Sequence, residues 1–389
     1  MKTFLLRHTI LLGFWLCCIA IIASDYVSNV DAKQYGKQIV ITYQLAKSAD
    51  VGVLLSLNGG QTYQNIKSVT GDVGKNVKAG SNRIYWDVLA DYEQFVFQNV
   101  RFKVEASVGK TSFDVSGVTF NMIDIAGGTF YMGCTSDQGN LCNEDEKPVH
   151  EVSLSDFYMA ETEVTQRLWQ VVMGTSITRQ KEKAQATTLA GEDSNFPMYY
   201  VNYDEALLFC QRLNKLLEKQ IPEGYSFSLP TEAQWEYAAR GGQKDRQSIY
   251  AGSDELEMVA WCTSNAKHRV HPVKSKLPNE LGLYDMTGNV WEWCLDRYNP
   301  KYYSRSLKED PRNLSSGSQR VNRGGAWHGY AGSWRVARRN GNDPGERNDS
   351  LGFRIVLTQT TRKVDMVEWL KETFDYVALE IQSHPTADQ

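Results

Sequence analysis

Thiols are the most reactive groups this chain offers, and their placement limits what they can do. Cys134, Cys142, Cys210, Cys262 and Cys294 lie beyond an N-terminal apolar run that holds Cys17 and Cys18. Five is odd, so at least one thiol in the body of the chain has no intramolecular partner. Cys134 and Cys142 flank a short polar loop and are the candidate disulfide in an oxidising compartment. A pairing of Cys262 with Cys294 is the alternative that spacing leaves open. Other chemistries find little support. His268 and His271 are close in sequence but have no third ligand nearby, which argues against a metal site. The sequence has neither a G-x-S-x-G elbow nor a phosphate loop. With Lys plus Arg at 42, Asp plus Glu at 46 and a net charge of -4, a phosphate-binding surface is not expected, and nucleic acid is excluded as a partner.

The elements that must position these groups change character along the chain. Lys2 and Arg7 precede an uncharged apolar run over residues 10–23, short for a membrane span of about 20 residues and suited to an export signal. Residues 1–24 are read as a signal peptide, with cleavage after Ser24 or near Ala32. Phe14, Trp15 and Leu16 are not the small residues that lipid attachment at Cys17 or Cys18 would need. The mature chain is then expected to be exported, whether periplasmic, envelope-associated or secreted, and to have no transmembrane span.

Residues 33–110 show period-two alternation in Ile39, Ile41, Tyr43 and Leu45, then in Val51, Val53, Leu55 and Leu57. Asn58-Gly59-Gly60 marks a hairpin turn, and Ile84, Trp86 and Val88 with Val100, Phe102 and Val104 supply two more strands. Short strands without helical pattern predict a small all-β sandwich of immunoglobulin-like size, a spacer or docking module. Helices are predicted only later: from Thr165 to Gly174, from Asn202 through Leu217, and from Thr231 to a stop at Gly241-Gly242. The last two open with the spacing of a capping box. Over residues 361–382, Val367, Leu370, Phe374, Val377 and Ile381 fall on one face of an amphipathic C-terminal helix.

The segment MIDIAGGTFYMG from Met122 and HEVSLSDFYMAETEVT from His150 are followed in order by FPMYYVNYDEALLFC, SLPTEAQWEYAARGG, NELGLYDMTGNVWEWCLD, VNRGGAW and LGFRIV. This series resembles the formylglycine-generating-enzyme (sulfatase-modifying-factor) family domain. The resemblance implies an α+β variant of the C-type lectin fold over residues 118–358, with long ordered loops held by aromatic anchors such as Trp235, Trp261, Trp291, Trp293, Trp327 and Trp334. It also implies one calcium, with Asp285, Gly288, Val290 and Glu292 as ligands, a set of hard oxygen donors around a bend. A second family calcium site is matched only by Asn265 and Ala266, with no acidic ligand after them.

The family's chemistry, oxidation of a sulfatase cysteine to formylglycine, depends on two cysteines in the segment that reads GGAWHGYAGSWRVARR here. Gly329 and Trp334 stand at those positions, and no cysteine follows Cys294. Neither glycine nor indole supplies a thiolate, so no copper and no formylglycine synthesis are expected. The expectation is therefore an exported, non-catalytic binding or assembly module, with a groove lined by His328, Tyr330, Trp334, Arg335 and Arg338 that receives an envelope protein or glycan. Two alternatives stand beside it: a divergent oxidoreductase or tailoring enzyme using the same pocket, and a carbohydrate-binding lectin-like protein.

Overall fold

The computed structural model describes residues 27–46, 49–92, 100–107, 110–330 and 332–359, so the expected signal peptide and C-terminal helix lie outside the described residues. The chain divides into two units, Met1–Gly109 and Lys110–Gln389.

In the first unit the alternation of side chains becomes two sheets. Gln38–Leu45 pairs with Gly80–Asp87, setting Ile41 opposite Ile84 and Ile39 opposite Trp86. Ala49–Ser56 pairs with Arg101–Ser107, so that Val53 faces Val104 and Leu55 faces Phe102. These inward residues form one apolar core around Trp86. Gly59 and Gly60 both take positive φ, and the Ser56 hydroxyl accepts the Gly60 N–H at 2.8 Å, which turns the chain back to pair Leu55 with Gln64. A strand at Val27–Tyr35 precedes the range expected from sequence, and the later signal-cleavage point near Ala32 falls inside it. Its pairing slips between Ser28 and Asp31, with Asn29 at φ 51°, so its buried residues Val27, Val30 and Ala32 do not alternate. A bulge adds a residue to one strand and erases the period that would reveal it.

The second unit carries a five-stranded sheet in the order Tyr225–Ser228, Val356–Gln359, Phe157–Ala160, Val118–Ile125 and Lys110–Val115. Strands from both ends of the unit lie side by side in it, which fastens the domain closed. A second sheet orders Arg339–Asn342, Arg320–Arg323, Trp291–Arg297 and Leu351–Gly352, the last pair parallel. Among the described residues four helices of seven or more residues flank these sheets, and their starts follow local chemistry. Thr165 caps Gln166–Met173, Ser176 caps Ile177–Lys183 and Asn202 caps Tyr203–Leu216. Thr231 and Gln234 form a reciprocal capping box at Glu232–Ala239. Glu205, which has the box spacing after Asn202, points elsewhere and pairs with Lys183 and Arg347. Burial against those cations overrides the local cap.

Close backbone approach is visible at Gly127, where an added Cβ would lie 2.1 Å from the Leu154 carbonyl oxygen. Gly127→Ala is expected to lower stability by about 1–3 kcal/mol, because backbone on both sides would have to shift. A thermal melt checks this, and a midpoint equal to the parent's would show that the two segments can part freely.

Candidate functional site

The segment from Gly324 to Arg339 is long and largely without regular structure, yet both its ends are clamped to one helix. Arg323 and Arg339 are fully buried and meet two carboxylates of Glu232–Ala239. Arg339 donates to Glu232 from Nε at 2.6 Å and Nη2 at 2.8 Å, and Arg323 reaches Glu236 and Glu232. Arg240 extends the network from Glu236 to Asp137 and to the Gly133 carbonyl. Burial alone would raise the Glu232 carboxyl, but Arg339 and Arg323 hold it below its usual range. Close by, burial and the charge of Glu232 push Asp296 up to about 7, although the Glu232 and Asn313 amides both donate to it. A carboxyl raised in the folded state contributes stability that is complete below the unfolded value and lost as pH rises through the folded one. For Asp296 that window runs from 3.8 to about 7. Asp296→Asn does not titrate, so its melting temperature relative to the parent is expected to improve as pH is raised across the window; a constant difference would contradict this.

Within the segment, the two positions where the family resemblance would put cysteines are neighbours in space. A Cβ on Gly329 would sit 3.2 Å from Cζ2 of Trp334, whose indole is buried and donates to the Ala326 carbonyl at 2.8 Å. Gly325, at φ 76°, passes so near Trp334 that a Cβ would be 2.6 Å from its ring. Glycine and indole thus fill one volume. Thr263 fixes the turn by accepting the Gly329 N–H at 3.0 Å, and Ser333 accepts the Tyr330 N–H.

Of the five groove residues expected from sequence, His328 and Tyr330 are exposed, Tyr330 at 87%. His328 stands edge-on to Trp327. Arg338 is half-buried. Trp334 and Arg335 do not line a groove but face inward, because the indole fills the space beside Gly329 and the guanidinium pairs with buried Glu146 at 2.7 Å through two nitrogens. Cys134 and Cys142 are joined as a disulfide, whereas Cys262 and Cys294 are separate buried thiols, as is Cys210, so the pairing of Cys262 with Cys294 does not occur.

The loop expected to hold calcium places Asp285 and Glu292 in the interior. Gly288, at φ 83°, lets the bend pass Trp261, whose carbonyl would be 2.3 Å from a Cβ. Asp285 accepts the Lys274 amide at 2.9 Å, and the Val290 amide donates to Glu163 at 3.1 Å. Glu292 accepts from Arg354 on both oxygens, at 2.6 and 2.7 Å, and from the Trp235 indole at 2.7 Å. In charge the loop leaves room for a cation: the buried carboxylates Glu163, Asp285 and Glu292 outnumber the positive groups acting on them, Arg354 and, at Asp285, Lys274. Burial and mutual repulsion raise Glu163 well above its usual value, and Asp285, raised chiefly by burial, reaches about 6. Glu292 is the member of the set paired directly with a cation, whereas Glu163 accepts from the Asn289 side chain and the Val290 amide, and Asp285 from the Lys274 amide.

Sequence reasoning did not single out Arg354, Glu163, Glu146, Glu232, Glu236 or Arg323. A signal was present for two of them, since Glu232 and Glu236 stand one helical turn apart beside apolar Ala233, Trp235 and Tyr237, an odd place for solvated acids. The aromatic anchors divide. Trp235, Trp293 and Trp334 are buried, while Trp261, Trp291 and Trp327 are half-exposed, with Trp261 stacked on His271 at 3.6 Å.

The second unit is a β-rich α+β domain, consistent with the formylglycine-generating-enzyme type of fold. Residues 113–359 match the profile of the Sulfatase-modifying factor enzyme 1-like domain, and the chain belongs to that family. It is 31% identical over 293 residues to a formylglycine-generating enzyme of Streptomyces coelicolor, covering 61% of this chain and 88% of that protein. To the inactive C-alpha-formylglycine-generating enzyme 2 of Bos taurus it is 28% identical over 297 residues, covering 61% of this chain and 88% of that protein. Among solved structures, Treponema denticola variable protein 1 superposes with a TM-score of 0.54 at 33% identity, covering 64% of this chain and 99% of the other. Among the described residues no helix is long and apolar enough to cross a membrane.

Proposed function

We propose that this chain is an exported, non-catalytic member of its family, a binding or assembly module that presents the surface around His328 and Tyr330 to an envelope protein or glycan. The observation that carries the reading is the joint filling of the two cysteine positions by Gly329 and the buried Trp334 indole. The remaining free thiols offer no substitute. Cys210, Cys262 and Cys294 are buried, and burial pushes the thiols of Cys210 and Cys294 up, away from the reactive thiolate. The likeness to a relative named inactive supports the same reading. The first unit, two small sheets around one core, is read as an immunoglobulin-like spacer or docking module. Incubated with a cysteine-containing sulfatase peptide, copper and oxygen, the chain is expected to leave the peptide's mass unchanged. Conversion of its cysteine to formylglycine would overturn the proposal.

Calcium belongs to this proposal as a structural ion, supported by the unbalanced acids of the loop, with Asp285, the main chain at Gly288 and Val290, and Glu292 as its holders. A cation there would lower the cost of keeping Asp285 and Glu163 ionised in the interior. Calcium is expected to raise the melting temperature relative to chelator, and Asp285→Asn to shrink that rise. Equal melts with calcium and with chelator would remove the ion from the reading.

A further inference from the structure

We propose that Cys134, Cys142 and Glu146, once the disulfide is reduced, form a binding site for one thiophilic divalent cation of the zinc class. Among the described residues this is the only trio of His, Cys, Asp or Glu whose ligand atoms all lie within 4.8 Å of one another. The cysteine Cα atoms are 5.9 Å apart, and both residues are half-buried, within reach of solvent. Glu146, by contrast, is fully buried and held in place. Its main-chain carbonyl accepts the Cys134 amide at 3.0 Å, and Arg335 grips its carboxylate with two bonds of 2.7 Å. Arg335 Nη1 also donates to Cys142 Sγ at 3.6 Å. Such an outer donor orients a ligating carboxylate and hydrogen-bonds a metal-bound thiolate.

Charge explains why the ion is divalent. In the disulfide state Arg335 and Glu146 neutralise each other. Reduction and deprotonation add two thiolate charges to this partly buried place, and one divalent cation restores neutrality. Zinc accepts two thiolates and a carboxylate and leaves a fourth position for water. An external thiol or phosphine supplies the two electrons that break the S–S bond, and the sulfurs take up two protons. Binding then forms two metal–sulfur bonds and one metal–oxygen bond and releases both protons to solvent. The disulfide and the metal centre are alternative states of the same residues. Each would be felt in the loop of Gly329 and Tyr330, because Arg335 Nη2 holds the Leu141 carbonyl and Leu141 packs against Gly332.

The test uses the full exported chain, reduced with a phosphine without air and titrated with cobalt(II), then with zinc against a chromophoric chelator. One equivalent of cobalt is expected to give a sulfur-to-metal charge-transfer band that zinc abolishes. The oxidised chain and Cys142→Ser are expected to give none. Glu146→Gln is expected to weaken zinc at least tenfold, on the order of a lost metal-site partner. Circular dichroism checks that this variant folds; should it not, Glu146→Asp, which keeps the charge, is expected to keep the band with weaker affinity. No band from the reduced parent chain, an equal band from the oxidised chain, or one surviving in Cys142→Ser would overturn the proposal.

Discussion

Glu232→Ala is expected to destabilise the second unit severely. The carboxylate accepts from Arg339 twice and from Arg323 once, and all three side chains are buried. Removing it leaves two guanidinium groups in the interior: Arg323 keeps its pair with Glu236, while Arg339 loses its paired carboxylate and keeps only the charges of Asp296 and Asp145 nearby. Breaking a buried pair from one side costs about 3–5 kcal/mol, a large share of a domain stability of about 5–15 kcal/mol. The drop in melting temperature should be on the order of 10 °C or more, or the variant should be recovered unfolded. Glu232→Gln keeps one acceptor oxygen, turns the other position into a donor facing Arg339, and should fall between. A melt of Glu232→Ala within a few degrees of the parent would mean that the arginines find water or other acceptors, and that the clamp on the Gly324-to-Arg339 segment is not structural.

The second large effect concerns Arg354 and Glu292, which meet through two hydrogen bonds with no exposure on either side. Arg354→Met and Glu292→Gln are each expected to cost about 3–5 kcal/mol, and the double variant less than their sum, because neither then leaves an unpaired charge. The same cycle separates two roles of Glu292. If its main partner is Arg354, the loss in Glu292→Gln is the same in calcium and in chelator. If it chiefly holds a cation, the loss shrinks in chelator and Arg354→Met is the milder change. Urea unfolding under both conditions measures this directly.

Much of the family architecture was legible in the chain. Ordered motifs from Met122 onward carried the family, and helix starts at Thr165, Asn202 and Thr231 could be read because capping is a local contact of three or four residues. The strands of the first unit were readable where alternation was regular, and Val27–Tyr35 escaped where a bulge broke it. The disulfide candidate needed only a short loop. Of the residues assigned to a groove from sequence, His328 and Tyr330 are exposed while Trp334 and Arg335 turn inward, and no spacing rule says toward which side a loop residue points.

The sequence by itself determined the family, the change from a strand-rich segment to a mixed one, and the absence of thiols at the family's reactive positions. These depend on residue identity and on contacts between near neighbours. The short helix Val88–Asp91 in the first unit, where Val88 reads as strand, escaped that reading. Tertiary structure alone decided which charges face one another. Arg339 finds Glu232 and Arg354 finds Glu292 across long stretches of chain, and Glu146 meets Arg335 beside the disulfide. Burial makes such pairs nearly obligatory, since an unpaired ion in the interior is too costly to persist. Their partners are chosen by the path of the whole backbone, which no local pattern records.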